Sequence, residues 1–173
     1  HNSNLDIAKV LISGNGLESR TNDNGDIHYD SGIQISDGSS ANINEGSISN
    51  NAGHAIQLYH SAQLNLSNLT VDANGQSQGT YGGYDGITIA DNAHLNLNTV
   101  TLSNSGRTGL NVRGNSEAHL NNTAVSGNGD GSDWSDAINV SENSQISLRN
   151  STVSSPKGHG LSVRYWSKAD VTN

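Results

Sequence analysis

Six residues able to carry or relay charge recur at one place in a repeat: Ser31, His54, Asp85, Thr108, Asp136 and His159 each stand two residues before a short apolar–polar–apolar triplet. If the triplets are parallel strands stacked at ~4.8 Å per layer, these side chains share one edge. Asp85 and Asp136 then lie about 9 to 10 Å apart with Thr108 between them, near the upper limit for an inverting pair of carboxylates. In such a pair one carboxyl protonates a glycosidic oxygen while the other activates water. His159, one layer from Asp136, could tune its proton affinity. The catalytic set, if the protein is an enzyme, is therefore Asp85, Asp136 and His159. The competing reading is that acids and imidazoles here bond to backbone where a strand begins. Thr108, Ser135 and the Gly-rich surroundings suggest a wet, open edge without the apolar enclosure that would raise one carboxyl's pKa. Arg107 and Arg113 are the cations nearest in sequence, and their spacing does not form a pair for an acidic sugar.

A second set of candidates lies in three long connections, Ile12 to Ile33, Val71 to Ile87 and Val125 to Ile138, which alternate with short ones such as Ile48 to Ile56. All three should emerge at one corner. They carry Tyr29, Tyr81, Tyr84, Asp85, Asp133, Trp134 and Asp136, which we take as the ligand-binding set. Aromatic rings beside carboxylates and amides hold sugars, the ring against an apolar sugar face and the polar groups on hydroxyls. The alternative is a set of Gly-rich turns with solvated charges. We expect the rings of Tyr81, Tyr84 and Trp134 to be exposed, since they have no core to fill. The Asn128 to Asp133 segment offers oxygen ligands but lacks the spacing of a calcium loop, and no histidine pair has zinc spacing, so we expect no metal and no cofactor.

The elements that must position these residues are short strands. The triplets run Ile33-Gln34-Ile35, Ile56-Gln57-Leu58, Ile87-Thr88-Ile89, Leu110-Asn111-Val112, Ile138-Asn139-Val140 and Leu161-Ser162-Val163. Six residues after each first apolar position comes a small residue, Ser39, Ala62, Ala93, Ser116, Ser144 or Ser167, and then a second alternating pair such as Leu64/Leu66 or Leu95/Leu97. A third strand ends at Ile48, Val71, Leu102, Val125 and Val153. Three strands per coil of roughly 23 residues give an all-β, right-handed parallel β-helix whose inward residues form apolar ladders. The outward Asn42, Asn65 and Asn96 read as a ladder of stacked amides. Leu5, Ile7, Val10 and Ile12 join the pattern in mid-coil, and it stops after Val171. We therefore read residues 1–173 as one β-helix segment cut from a longer solenoid.

Composition agrees with such a narrow interior: the chain lacks Phe, Met and Cys, and its formal net charge is -8. Without cysteine there is no disulfide scaffold or thiolate site. The acidic balance, with Lys and Arg scattered, argues against nucleic acid as a partner. No apolar run is long enough to span a bilayer, so we expect no membrane insertion within this segment, and any export signal would lie outside it.

The segments Gly109–Val125 and Ala137–Val153, with their alternating Leu-Asn-Val and Ile-Asn-Val strands and Asn-Ser turns, resemble the β-helical passengers of autotransporter proteins of the pertactin type. That resemblance is one of repeat style over nearly the whole chain. It implies export, display on a bacterial outer membrane or secretion, and adhesion to a glycan or host-surface molecule, often in virulence. A second, partial resemblance is to polygalacturonases, through Tyr84-Asp85-Gly86, Ser135-Asp136 and Gly158-His159-Gly160. Here Ser135 replaces the first aspartate of a pair, an additional coil separates the motifs, and no Arg-Ile-Lys follows. The reading we carry forward is a non-catalytic adhesin segment binding through the insertion corner. A polysaccharide-degrading or -modifying enzyme and a phage tail-spike receptor-binding segment stand as alternatives.

Overall fold

A computed structural model of the chain describes residues 3–79, 82–129, 135–154 and 157–173. Every named element in it is a strand. The triplets Ile33–Ile35, Ile56–Leu58, Ile87–Ile89, Leu110–Val112, Ile138–Val140 and Leu161–Val163 form one parallel sheet, each pairing with the triplet of the next coil. A second, larger sheet holds the rest of each coil. Its registers superpose Ala41, Leu64, Leu95, Ala118, Ile146 and Ala169 in one column and Ile43, Leu66, Leu97, Leu120, Leu148 and Val171 in the next. Leu5 and Ile7 pair with Ala41 and Ile43, and Ile12 pairs with Ile48, so the first residues enter in mid-coil as their spacing required. The architecture is the right-handed parallel β-helix.

One expectation needs correction. The second and third strands are not separate in the coils at Ser40–Ser49, Gln63–Asp72 and His94–Ser103, where each runs as one ten-residue strand. The bend between them is made by positive-φ backbone, at Glu45 and Gly46 in the first and at the single residues Asn68 and Thr99 in the other two, which turns the chain without interrupting the ladder. In the next two coils the strand divides into Glu117–Asn121 and Ala124–Ser126, then Gln145–Arg149 and Thr152–Val153. There the Thr123 N–H donates to the Ser151 hydroxyl at 3.1 Å, so a side chain replaces a carbonyl in the ladder.

The other corners follow the same rule. Between the first and second strands, two consecutive residues have positive φ in every coil: Asp37 and Gly38, His60 and Ser61, Asp91 and Asn92, Gly114 and Asn115, Glu142 and Asn143, Tyr165 and Trp166. After the third strand a single left-handed residue, such as Asn50, Ala73 or Asn104, turns the chain into the corner from which the insertions emerge. The abundance of Asn, Asp and Gly is thus largely a requirement of corners, since these residues tolerate that region best.

The interior is apolar in the strands and amide-lined at one corner. Asn51 and Asn74 are fully enclosed, and Asn74 Oδ1 accepts both the backbone N–H of Asn51 at 3.1 Å and its side-chain amide at 2.8 Å. Asn74 in turn donates to the carbonyls of Ile48 and Asp72. Two coils on, Asn128 accepts the Ser105 N–H at 2.9 Å. The small-residue column works in the same way: Ser116 Oγ accepts the Ala93 N–H, Ser144 Oγ that of Ser116 and Ser167 Oγ that of Ser144. The expected outer ladder is also present, Asn96 donating to Asn65 at 2.7 Å and Asn65 to Asn42 at 2.6 Å.

Leu66, Leu97, Leu120 and Leu148 are buried, stacked on one another between neighbouring coils. Leu97→Ala should therefore cost roughly 2 to 5 kcal/mol in chemical denaturation, by lost transfer energy and a residual cavity. Circular dichroism should show β-structure with almost no helix, and a helical content above about a fifth contradicts the repeat.

Candidate functional site

The strand-start column is built as its spacing required. Gly86 N–H donates to the Thr108 carbonyl, Gly109 N–H to that of Asp136 and Ala137 N–H to that of His159, which stacks the coils at this edge. The first strand of each coil positions the acid two residues upstream, where the chain has just left the insertion corner.

The expected wet, open edge is absent at the two acids. Asp85 is 1% exposed and Asp136 is 3% exposed. Both are enclosed by donors rather than by apolar walls. Asp85 Oδ1 accepts Arg107 Nε at 2.9 Å and the Thr108 N–H at 3.2 Å, while Oδ2 accepts from Thr88 Oγ1 at 2.9 Å and Asn111 Nδ2 at 3.0 Å. Asp136 repeats the scheme two coils later: Oδ1 accepts the His159 N–H at 3.1 Å and lies 2.9 Å from His159 Nδ1, and Oδ2 faces Arg164 Nη2 at 3.3 Å. The contact between His159 and Asp136 is the one their spacing implied. Arg164 was not legible as its partner, because the two are 28 residues apart and meet only through the coil register.

Burial is the largest influence on Asp85 and on its own raises the carboxyl's pKa. His54, the Arg107 guanidinium and the Asn111 amide oppose it and hold the group below the usual carboxylate range. Burial also pushes the His54 ring below the ordinary histidine range, against the pull of Asp85. Asp85 is thus an ionised structural anchor at neutral pH, whose four donors come from two successive coils.

The aromatic residues of the insertions divide. Tyr81, Asp133 and Trp134, with Asp130, lie outside the described residues. Tyr29 and Tyr84 are half-buried, which corrects the expectation that Tyr84 exposes its ring. The first insertion folds into an antiparallel hairpin, Arg20–Thr21 with Ile27–His28, closed by Asn22, whose Oδ1 accepts the N–H groups of Asn24 and Asp26. The Tyr84 hydroxyl accepts the Tyr29 N–H at 3.0 Å, and its ring meets His54 edge-to-face at 5.1 Å and Tyr29 at 6.2 Å between centroids. A Cβ at Gly79 would collide with that hydroxyl, so the glycine admits the ring. Tyr84 therefore ties the second insertion to the first. The Asn128 side chain points inward to Ser105 and Leu102, so it does not face a cation at the third insertion.

Two small cavities flank Arg107. One, about 170 Å³, is lined by His28, His54, Gly82, Gly83, Tyr84 and Arg107 at the insertion corner. The other, about 190 Å³, opens over the first strands and is lined by Arg107, Asn111, Asn139, Glu142, Arg164 and Tyr165. A larger concavity of about 730 Å³ lies on the other sheet, with His119, Ser147 and Arg149 along it. Chemically, the first-strand cleft offers guanidinium and amide donors, carboxylate acceptors and one ring, a set suited to hydroxyl groups.

Asp85→Asn should cost about 3 kcal/mol at neutral pH, because it removes the charge on which Arg107 and three further donors converge and sets an amide N–H against them in a buried site. The folded pKa lies below the unfolded value of about 3.9, so this contribution is present above about pH 4 and is lost as pH falls through the folded pKa. Denaturation curves of wild type and variant should converge on acidification. Tyr84→Phe should also cost about 1 kcal/mol and loosen the hairpin, seen as faster amide exchange at Tyr29.

Comparison with curated proteins finds no match, and comparison with solved structures finds none. Residues 76–173 match the family described as right handed beta helix region, which covers more than half of the chain. Together with the parallel sheets and stacked registers, this match places the chain in the right-handed β-helix family.

Proposed function

We propose that this segment is a non-catalytic binding element, displayed on a bacterial surface or secreted, which holds a glycan or a host-surface molecule along its insertion corner and the adjoining first-strand face. The observation that carries the reading is the convergence of two insertions on the Tyr84 hydroxyl, which places His28, His54 and Arg107 around one small cavity beside the cleft over Asn111 and Asn139. Working residues of solenoids collect where insertions collect. An adhesin of the autotransporter passenger type is the setting that this arrangement fits, and Tyr29, Tyr84 and Trp134 are its aromatic candidates.

The enzyme reading asks for one carboxyl kept protonated by its surroundings. Asp85 has the opposite environment, with a guanidinium on it and its pKa lowered. Asp136 has its oxygens directed at His159 and Arg164. Both acids have the bonding of structural anchors, which supports binding over hydrolysis.

Binding to a glycan array and to cell surfaces should fall on His28→Ala and on Trp134→Ala while the unfolding temperature moves by no more than a few degrees. Loss of binding instead from changes at Asn65 and Asn96 places the site on the wrong sheet. Cleavage of a polysaccharide that disappears in both Asp85→Asn and Asp136→Asn overturns the non-catalytic reading.

A further inference from the structure

At the corner that follows each third strand, one residue per coil gives its backbone N–H to a side-chain amide of the next coil. Asn51 Oδ1 accepts the Asn15 N–H at 3.1 Å, Asn74 Oδ1 that of Asn51 at 3.1 Å, and Asn128 Oδ1 that of Ser105 at 2.9 Å. Among the described residues, the step from Asn74 to Ser105 departs from this rule. Ser105 is 3% exposed, and its Oγ has no hydrogen-bond partner among the described residues. The N–H of Asn74, a residue with no exposed surface, likewise meets no acceptor among them. Two polar groups thus face one coil interface without partners, which native interiors rarely carry because each costs its full desolvation.

The coils do not close up here to let the serine reach. On the two sides of this step the Ala73 N–H donates to the Ser103 carbonyl at 3.1 Å and the Gly106 N–H to that of Asn74 at 2.8 Å. The matching bonds one coil earlier, from Asn50 to Asp72 and from Gly75 to Asn51, measure 3.2 and 2.9 Å. The spacing is that of an amide step, while the side chain is shorter. Asn exceeds Ser in volume by roughly the ~30 Å³ that one water takes in the liquid. The backbone around the step is also cut for an amide: Gly32 and Gly109 lie against the side-chain amides of Asn51 and Asn128, and Gly86 lies against Ser105 Oγ in the same way.

We infer that one water molecule is bound inside the solenoid between Asn74 and Ser105, in the place of an amide oxygen. It accepts the Asn74 N–H and bonds to Ser105 Oγ. It donates to the Val71 carbonyl, the counterpart of the Ile48 and Leu102 carbonyls that take side-chain N–H groups from Asn74 and Asn128. Three bonds are the usual complement of a buried water. Its position gives it a role, because Asn74 opens the second insertion. The Gly75 carbonyl accepts the Tyr84 N–H at 2.9 Å, and the Tyr84 carbonyl accepts the Arg107 N–H at 3.0 Å. The water fixes the root of the insertion that carries Tyr84 onto the coil that carries Arg107. This inference is independent of what the insertion corner binds.

The test uses the whole chain. In ¹⁵N-edited spectra the Asn74 amide should show cross-relaxation with water of the sign that marks long residence, while strand amides such as that of Ile87 show none. A high-resolution crystal structure should place one water within hydrogen-bonding reach of Asn74 N and Ser105 Oγ. Ser105→Asn supplies the amide, so it should abolish the Asn74 water signal and raise the unfolding temperature by about 2 to 4 °C. Ser105→Ala removes one partner of the water, so it should lower that temperature by a similar amount and speed exchange at Asn74. A direct bond from Asn74 N–H to Ser105 Oγ without water in the crystal, no water signal at Asn74 in the wild type, or a lower unfolding temperature in Ser105→Asn overturns the inference.

Discussion

The constraint on which this molecule depends is register between coils. A parallel ladder aligns each residue with its counterpart one coil away, so every side chain meets the residue at the same place in the next coil at about 4.8 Å. Apolar columns close the interior because Leu66, Leu97, Leu120 and Leu148 fall on one another. The same alignment is what lets polar residues be buried. Asn51 on Asn74, and Ser116 on Ser144, satisfy groups that would each destabilise a conventional core if left unpaired. A chain with little apolar surface can fold this way because its corners supply the hydrogen bonds that its strands supply elsewhere.

The two buried carboxylates belong to that scheme. Asp85 and Asp136 accept backbone N–H groups of the next coil, as the Asn and Ser columns do, and each adds an arginine to balance its charge. They hold the start of the first strand against the exit of the insertions. Those anchors present the guanidinium of Arg107 between two cavities and stand beside the hairpin held by Tyr84.

Much of this was legible in the sequence. Period-2 triplets and the fixed offset from each to its small residue and second inward pair gave the coil, the inward columns and the shared edge of Ser31, His54, Asp85, Thr108, Asp136 and His159, because those features depend only on spacing. What spacing does not encode is where a side chain goes once it leaves the backbone. The burial of Asp85 depends on Arg107 and Asn111, 22 and 26 residues away, and the orientation of Tyr84 depends on a hairpin 55 residues upstream. The internal amide column had a signal, Asn51, Asn74 and Asn128 each standing three residues after the last inward residue of a third strand. It was masked by the general abundance of Asn.

The central claim is that side chains at the corners continue the ladder as firmly as backbone carbonyls do within the strands. Native-state hydrogen exchange tests it most directly, at the amides of Asn51, Ser105, Thr108 and Ser116, which donate to Asn74, Asn128, Asp85 and Ser144 side chains respectively. The account predicts exchange as slow as that of the Ile87–Ile89 and Leu110–Val112 strand amides, by opening of the coils together. Exchange of these four at the rate of exposed turns, while the strands stay protected, would contradict it.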